Sequence, residues 1–243
     1  MMYLMYQPIY TSFLPVFAGR QAAARASGDA SGLWQSIALA WRVMSIAVLP
    51  VAVMIFALPG LVILAWTGDA QLAESGGGVL RWIIAGAAVN AFLFIPFALQ
   101  QAAGDLRPWT WRIAVALVFY APLAILAIRQ WGMQGAAAAW CLGSVALAAW
   151  LARASGQSIP QAPAGSGFLA SLVPGSLRTL LPCAVVAALG AWLPWPAGRV
   201  GAGALALGML AVCGVVALRS QPEVWTLCMQ MTARLRRGRA LTP

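Results

Sequence analysis

The sequence predicts an all-α integral membrane protein, a polytopic helix bundle of about seven transmembrane helices. Only 8% of its 243 residues are charged and 62% are hydrophobic, whereas soluble domains carry about 25% charged residues. The mean hydropathy is +0.84. Long apolar stretches recur near the length of about 20 residues that crosses a bilayer. They show no sustained polar alternation, which favours helices over barrel strands.

The first apolar stretch, MMYLMYQPIYTSFLPVFA, holds no charge but is interrupted by Gln7, Pro8, Thr11, Ser12 and Pro15. It lacks the positive start, the clean apolar centre and the cleavage site of a signal peptide. We therefore interpret 1–18 as a transmembrane helix of minimal length. The hydropathy predicts six further spans, at 43–66, 79–99, 109–128, 133–151, 179–195 and 200–218.

All 15 basic residues are arginine. If seven spans alternate, twelve arginines face one side, and three face the other: Arg81, Arg129 and Arg199. The positive-inside rule makes the arginine-rich side cytoplasmic, so the C-terminus is predicted inside. Because the arginines fall between apolar runs rather than on one water-facing patch, nucleic acid is not an expected partner.

The chain is predicted to divide near residue 151. Residues 152–177 are rich in Pro, Gly, Ser and Ala, which is typical of a linker. This cytoplasmic linker would separate a five-span bundle, 1–151, from a two-helix transmembrane hairpin, 178–218. In the basic tail, 219–243, apolar residues recur at helical spacing, so two interpretations stay open: an interfacial helix on the anionic leaflet, or a solvated tail.

Two local motifs predict helix ends and contacts. In GDLRP, 104–108, Gly104 suits the end of one helix and Pro108 the first turn of the next. Asp105 and Arg107 there fit a solvated turn better than a gating ion pair. In WGMQGAAAAWCLG, the small residues Gly135, Ala139 and Gly143 recur every four positions, which predicts a close contact between helices.

Four stretches together resemble a known superfamily: SFLPVFAGRQAAARASGDASGLWQSIALAWR (12–42), FALPGLVILAWTGDA (56–70), IPFALQQAAGDLRPW (95–109) and WGMQGAAAAW (131–140). In order and spacing they are similar to the multidrug/oligosaccharidyl-lipid/polysaccharide exporters, specifically the bacterial polysaccharide (O-antigen type) flippases. The resemblance covers 1 to about 151; the hairpin and tail match only as two further spans.

The resemblance implies the C-terminal half of a flippase, that is, the second lobe plus a terminal hairpin, with 1–18 as the second helix of that lobe. It implies the bacterial inner membrane as location and a missing N-terminal lobe as partner. The substrate would be an undecaprenyl-pyrophosphate-linked oligosaccharide, flipped without covalent chemistry during cell-surface polysaccharide (O-antigen, lipopolysaccharide) biosynthesis. No cofactor is expected.

Polar side chains at membrane depth are costly unless they face a cavity or a partner. Five are therefore candidate substrate-binding residues: Gln7, Arg42, Asn90, Gln100 and Arg112. Amides suit sugar hydroxyls, and arginines suit a pyrophosphate. Each residue also has a structural explanation, which we favour for any one of them alone: amides bond a neighbouring helix, and arginines reach to the interface.

Two other functions fit the sequence less well than flipping. A drug or cation antiporter of the same superfamily needs an acidic residue within a span, and all five acids fall outside the predicted spans. A membrane glycan polymerase or ligase needs general acids and bases, yet the chain has no histidine and no acid in a span. We therefore predict a transporter rather than an enzyme; a non-transporting fragment stays open. The absence of histidine and CxxC spacing also argues against a metal site.

Overall fold

The computed structural model describes residues 2–158, 168–193, 199–226 and 229. These residues form helices and contain no strand, so the prediction of an all-α bundle is confirmed for this part of the chain. The helices are α1 (Met2–Ser27), α2 (Ser31–Ala57), α3 (Pro59–Thr67), α4 (Ala70–Ala103), α5 (Arg107–Ser158), α6 (Phe168–Ala191) and α7 (Arg199–Ser220). A short helical segment, 222–226, follows.

Five helical segments are long and apolar enough to cross a membrane: Ser31–Ala57, Ala70–Ala103, Arg107–Leu151, Leu172–Ala191 and Arg199–Ser220. This supports a multi-pass membrane protein, whereas the count of seven spans stays a prediction.

The core lies around α2 and α4. α2 packs against α1, α4, α6 and α7, while α4 packs against α1, α2, α3 and α5. The largest buried cluster joins α1, α2 and α4 and includes Met44, Val48, Ala91 and Ile95. α5 is peripheral and leaves large apolar side chains exposed, among them Leu117, Val118, Phe119, Leu123 and Leu126. In a bilayer this face meets hydrocarbon.

α5 is two antiparallel helices that fold back at Gly132. Gly132 has φ 57° and ψ −135°, a conformation that glycine alone adopts without strain. A Cβ at Gly143 would lie 2.9 Å from Tyr120 Cδ2. In one straight helix these residues would be about 35 Å apart along the axis. The two halves, 107–131 and 133–158, therefore correspond to the separately predicted spans 109–128 and 133–151.

The predicted span 43–66 has different limits in the structure. α2 begins at Ser31, and a break at Leu58 separates it from α3. The cause is Pro59, the first residue of α3, which has no N–H to donate to an α2 carbonyl. Arg81 Nε donates to the Phe56 carbonyl in the last turn of α2, at 3.1 Å.

α4 begins nine residues before the predicted limit of 79. Asp69 Oδ1 accepts hydrogen bonds from the backbone N–H groups of Gln71 (2.9 Å) and Leu72 (3.1 Å) and so caps the helix. The glycines at 76–78 are helical rather than part of a loop. Gly76 and Gly77 lie close to Ile63 and Pro59 of α3, because the absence of side chains allows the two helices to approach.

The first helix extends beyond the predicted span 1–18. α1 continues to Ser27, since the sequence QAAARAS favours helix and Gly28, with φ 74°, ends it. Tyr6 packs on Phe94 of α4, with ring centroids 4.5 Å apart. α1 therefore runs alongside the last turns of α4. Its described residues are not among the five segments that are both long and apolar enough to cross a membrane.

The described parts of the predicted linker are helical. α5 extends to Ser158 and α6 begins at Phe168, because alanine and leucine in these flanks favour helix. Residues 159–167 lie outside the described residues, as does most of the predicted interfacial helix in the tail.

The terminal hairpin packs into the bundle. α6 lies against α2, and α7 lies against α2 and α3. One buried cluster joins Leu58 and Leu61 with Ala202 and Met209 of α7.

Contacts between helix ends join residues predicted on the same side of the membrane. Arg199 Nε donates to the Ala65 carbonyl at 3.2 Å, and both residues belong to the arginine-poor side. Arg25 Nη2 donates to the Ala103 carbonyl at 3.4 Å, and both belong to the arginine-rich side. Each arginine therefore satisfies a carbonyl at the end of a helix, where cations are favoured.

Candidate functional site

A cavity of about 380 Å³ lies between α4 and α5. Residues of α4 at helical spacing form one wall, and both halves of α5 contribute to the other. The lining residues are Asn90, Leu93, Phe94, Phe97, Trp109, Thr110, Ile113 and Leu147. Trp109 is buried and packs on Phe97, with ring centroids 5.2 Å apart. The wall is thus mainly aromatic and aliphatic.

The predicted site residue Asn90 lies at this cavity but is also bonded to the protein. Its Nδ2 donates to Ser144 Oγ at 3.2 Å, and Ser144 is buried in the second half of α5. The other polar lining group, Thr110 Oγ1, donates to the Leu106 carbonyl at 3.1 Å. The structural explanation for Asn90, a bond to a neighbouring helix, is therefore supported.

Gln7 and Gln100 lie on helices that pack against each other, α1 and α4. The Oε1 atom of each is buried and has no hydrogen-bond partner within the described chain, and the same holds for Gln21. An unsatisfied buried acceptor costs about 1–3 kcal/mol. By contrast, the adjacent Gln101 Oε1 accepts a hydrogen bond from the Tyr10 hydroxyl.

Arg42 is not available as a free cation. Its Nη1 forms an ion pair with Glu223 Oε2, in the segment 222–226. The Arg42 side chain is 30% exposed and the Glu223 side chain 67% exposed. A ligand phosphate at Arg42 would have to displace this carboxylate.

Beside Arg42, a buried set of polar side chains joins α2, α6 and the end of α7. Trp41 Nε1 donates to Ser176 Oγ at 2.7 Å. Gln221 Nε2 donates to the Gly175 carbonyl at 2.6 Å and to Thr179 Oγ1 at 3.1 Å. Thr179 and Gln221 are buried, so these hydrogen bonds fix the end of α7 to α6.

Arg112 lies half-buried near the start of α5 and makes no ion pair with any described residue. Arg42 lies on α2 and Arg112 on α5, and these two helices do not pack against each other. The structure therefore does not bring the two candidate phosphate-binding arginines together. The substrate-binding roles of all five predicted residues stay predictions.

The acidic residues are exposed in the described chain, and several begin helices. Asp29 precedes α2, where its Oδ1 accepts the Ser31 backbone N–H at 2.8 Å and its Oδ2 the Ser31 hydroxyl at 2.9 Å. These hydrogen bonds lower the pKa of Asp29 below its ordinary value, and the bond from the backbone N–H has the larger effect.

Three residues at the candidate sites were not selected from the sequence: Ser144, which bonds Asn90; Trp109, which lines the cavity; and Glu223, which pairs with Arg42. The aromatic spacing on α4 was visible, but its partner face on α5 was not, since these residues are distant in sequence. Glu223 had a usable signal, because it is one of only five acids and follows the last span directly.

No protein-family model, no curated protein and no solved structure matches this chain.

Proposed function

We propose that this chain forms part of a membrane transporter that flips a lipid-linked oligosaccharide. The observation that carries the proposal is the set of buried, unbonded amide oxygens on α1 and α4, at Gln7, Gln100 and Gln21. Such acceptors are retained at a cost unless a donor reaches them in another state. Sugar hydroxyls are donors of this kind.

The exposed acids also favour this function over ion-coupled antiport. Coupling ions in membrane transporters bind ionisable groups at membrane depth. Asp29, Asp69, Glu74 and Asp105 are all exposed, and they lie at or near helix ends. The resemblance to polysaccharide flippases in 1–151 supports the same choice. Since this chain would form the second lobe of such a flippase, transport also requires a first lobe, because alternating access is a motion of one lobe against the other.

Changing Gln7 and Gln100 together to leucine should lower glycan export about thirtyfold, since each change removes a hydrogen-bond acceptor worth about 1 kcal/mol, or about fivefold. The variants are co-expressed with a matching N-terminal half in a flippase-deficient strain, and surface glycan is measured against the amount of inserted protein. Gln35→Leu, at an exposed position on α2, is the matched control. Export unchanged by the double variant would contradict the proposal.

We further propose that the arginine-rich side is cytoplasmic. In a cysteine-free background, a cysteine at Gln71 should react with an impermeant thiol reagent added to intact cells. A cysteine at Ser27 should react only after permeabilisation. Both positions are exposed and lie at opposite ends of the bundle. Reaction of the Ser27 cysteine in intact cells would reverse the orientation.

A further inference from the structure

The cavity between α4 and α5 suits hydrocarbon. Six of its lining side chains are apolar: Leu93, Phe94, Phe97, Trp109, Ile113 and Leu147. Each of its two polar side chains already makes a hydrogen bond within the protein, Asn90 Nδ2 to Ser144 Oγ and Thr110 Oγ1 to the Leu106 carbonyl. Ile113 is 41% exposed, so the cavity reaches the apolar outer surface of α5. An aliphatic chain can enter from the bilayer without losing hydrogen bonds.

Two exposed arginines lie near the end of this cavity where α4 is connected to α5. Arg25 is held at the end of α4 by its bond to the Ala103 carbonyl, at 3.4 Å, and Arg107 is the first residue of α5. Both are exposed, and neither forms an ion pair with a described residue. Arg112 lies five residues further into α5, about 7.5 Å along the helix axis. Asp105 lies between α4 and α5, and its Oδ1 accepts a hydrogen bond from the backbone N–H of Arg107 at 3.2 Å.

The separation of charge and cavity matches a membrane lipid. The lining residues of α4 end at Phe97, six residues before Ala103, which corresponds to about 9 Å along the helix axis. The polar headgroup layer of a bilayer is about 5–8 Å thick on each side. A phosphate at Arg25 and Arg107 would therefore place its first chain carbons at the cavity.

We propose that this corner, formed by Arg25, Arg107 and the cavity-lining residues, binds one anionic phospholipid of the surrounding leaflet. A guanidinium binds phosphate through charge-assisted hydrogen bonds, and four of the five N–H groups of Arg25 do not contact Ala103. The occupant is a resident lipid rather than the transported one. A transported lipid must reach both leaflets, whereas the arginines and the cavity occupy one half of the bundle. The site does not depend on the flippase proposal.

The test is native mass spectrometry of the full chain, purified in mild detergent with equal amounts of dioleoylphosphatidylglycerol and dioleoylphosphatidylcholine. We expect each protein chain to retain one phosphatidylglycerol molecule, at least ten times more often than it retains phosphatidylcholine. Arg25→Ala combined with Arg107→Ala should reduce this preference about tenfold, to equal retention of the two phospholipids, because both charges that bind the phosphate are lost. The control is Arg129→Ala. Arg129 is exposed and lies at the end of the first half of α5 that is remote from Arg107, so this change should leave the preference unaltered.

Filling the cavity with a larger side chain tests whether the acyl chain of the lipid occupies it. Leu147→Trp and, at the more exposed rim, Ile113→Trp should each abolish retention, whereas Leu117→Trp, on the exposed face of α5, should not. The Ile113 variant keeps the test valid if the Leu147 variant does not fold. Equal retention of both phospholipids, or retention unchanged by the arginine and filling variants, would overturn the proposal. Displacement of phosphatidylglycerol by equimolar undecaprenyl phosphate would assign the site to the carrier lipid instead.

Discussion

Gly135→Ala is expected to lower the amount of folded protein severely, because a methyl group there overlaps the backbone of the facing helix. A Cβ at Gly135 would overlap the Ala127 carbonyl, which is backbone and has no alternative rotamer. Overpacking of this kind costs about 1–3 kcal/mol, and we expect the upper end. The measurement is the apparent melting temperature in detergent, followed by size-exclusion chromatography.

The matched control for this change is Gly203→Ala in α7. A Cβ at Gly203 meets no atom within 4 Å, so alanine there should be neutral or stabilising, given its higher helix propensity. If Gly135→Ala melts at the wild-type temperature, the two halves of α5 do not fold back at Gly132.

Leu61→Ala should destabilise the protein by about 2–4 kcal/mol, the cost of a cavity at a fully buried leucine. Leu61 is 0% exposed and belongs to the cluster that α3 shares with Ala202 and Met209 of α7. In a membrane such packing, rather than the hydrophobic effect, holds helices together, so the missing contacts have no replacement. The change is measured as a shift of the unfolding midpoint in a denaturing detergent.

Leu207→Ala is the control, because Leu207 lies on α7 but is 69% exposed.

The comparison of these two variants also tests whether the terminal hairpin, α6 and α7, folds separately from the rest of the bundle. A hairpin that folds by itself would leave α1–α5 unaffected by its loss, whereas the contacts of α7 with α2 and α3 lead us to expect both parts to unfold together. Equal midpoints for the two leucine variants would show that these contacts do not contribute.

The candidate site was only partly predictable. Asn90 could be selected because an amide in an apolar run is exceptional, and the structure does place it at a cavity. Its partner Ser144 could not be selected, since the bond spans 54 residues and depends on the fold of α5. Arg42 shows the same limit: its charge was evident in the sequence, but its neutralisation by Glu223 depends on where α7 ends.

The sequence by itself determined the helical membrane class, most of the apolar segments and the local helix ends. Gly104, with φ 80°, ends α4, and Pro108 lies in the first turn of α5, as their backbone chemistry dictates. Gly135 and Gly143 likewise lie where helices approach closely. These features follow from hydropathy and from the conformational range of single residues, which are local properties.

Only the tertiary structure decided how the segments combine. It packed α6 and α7 against α2, and α5 against α4. Hydropathy cannot predict these results, because each apolar helix is equally suited to lipid and to another helix. The choice depends on matching shapes and hydrogen-bonding groups, such as Trp41 with Ser176, that are 135 residues apart and meet only in the folded bundle.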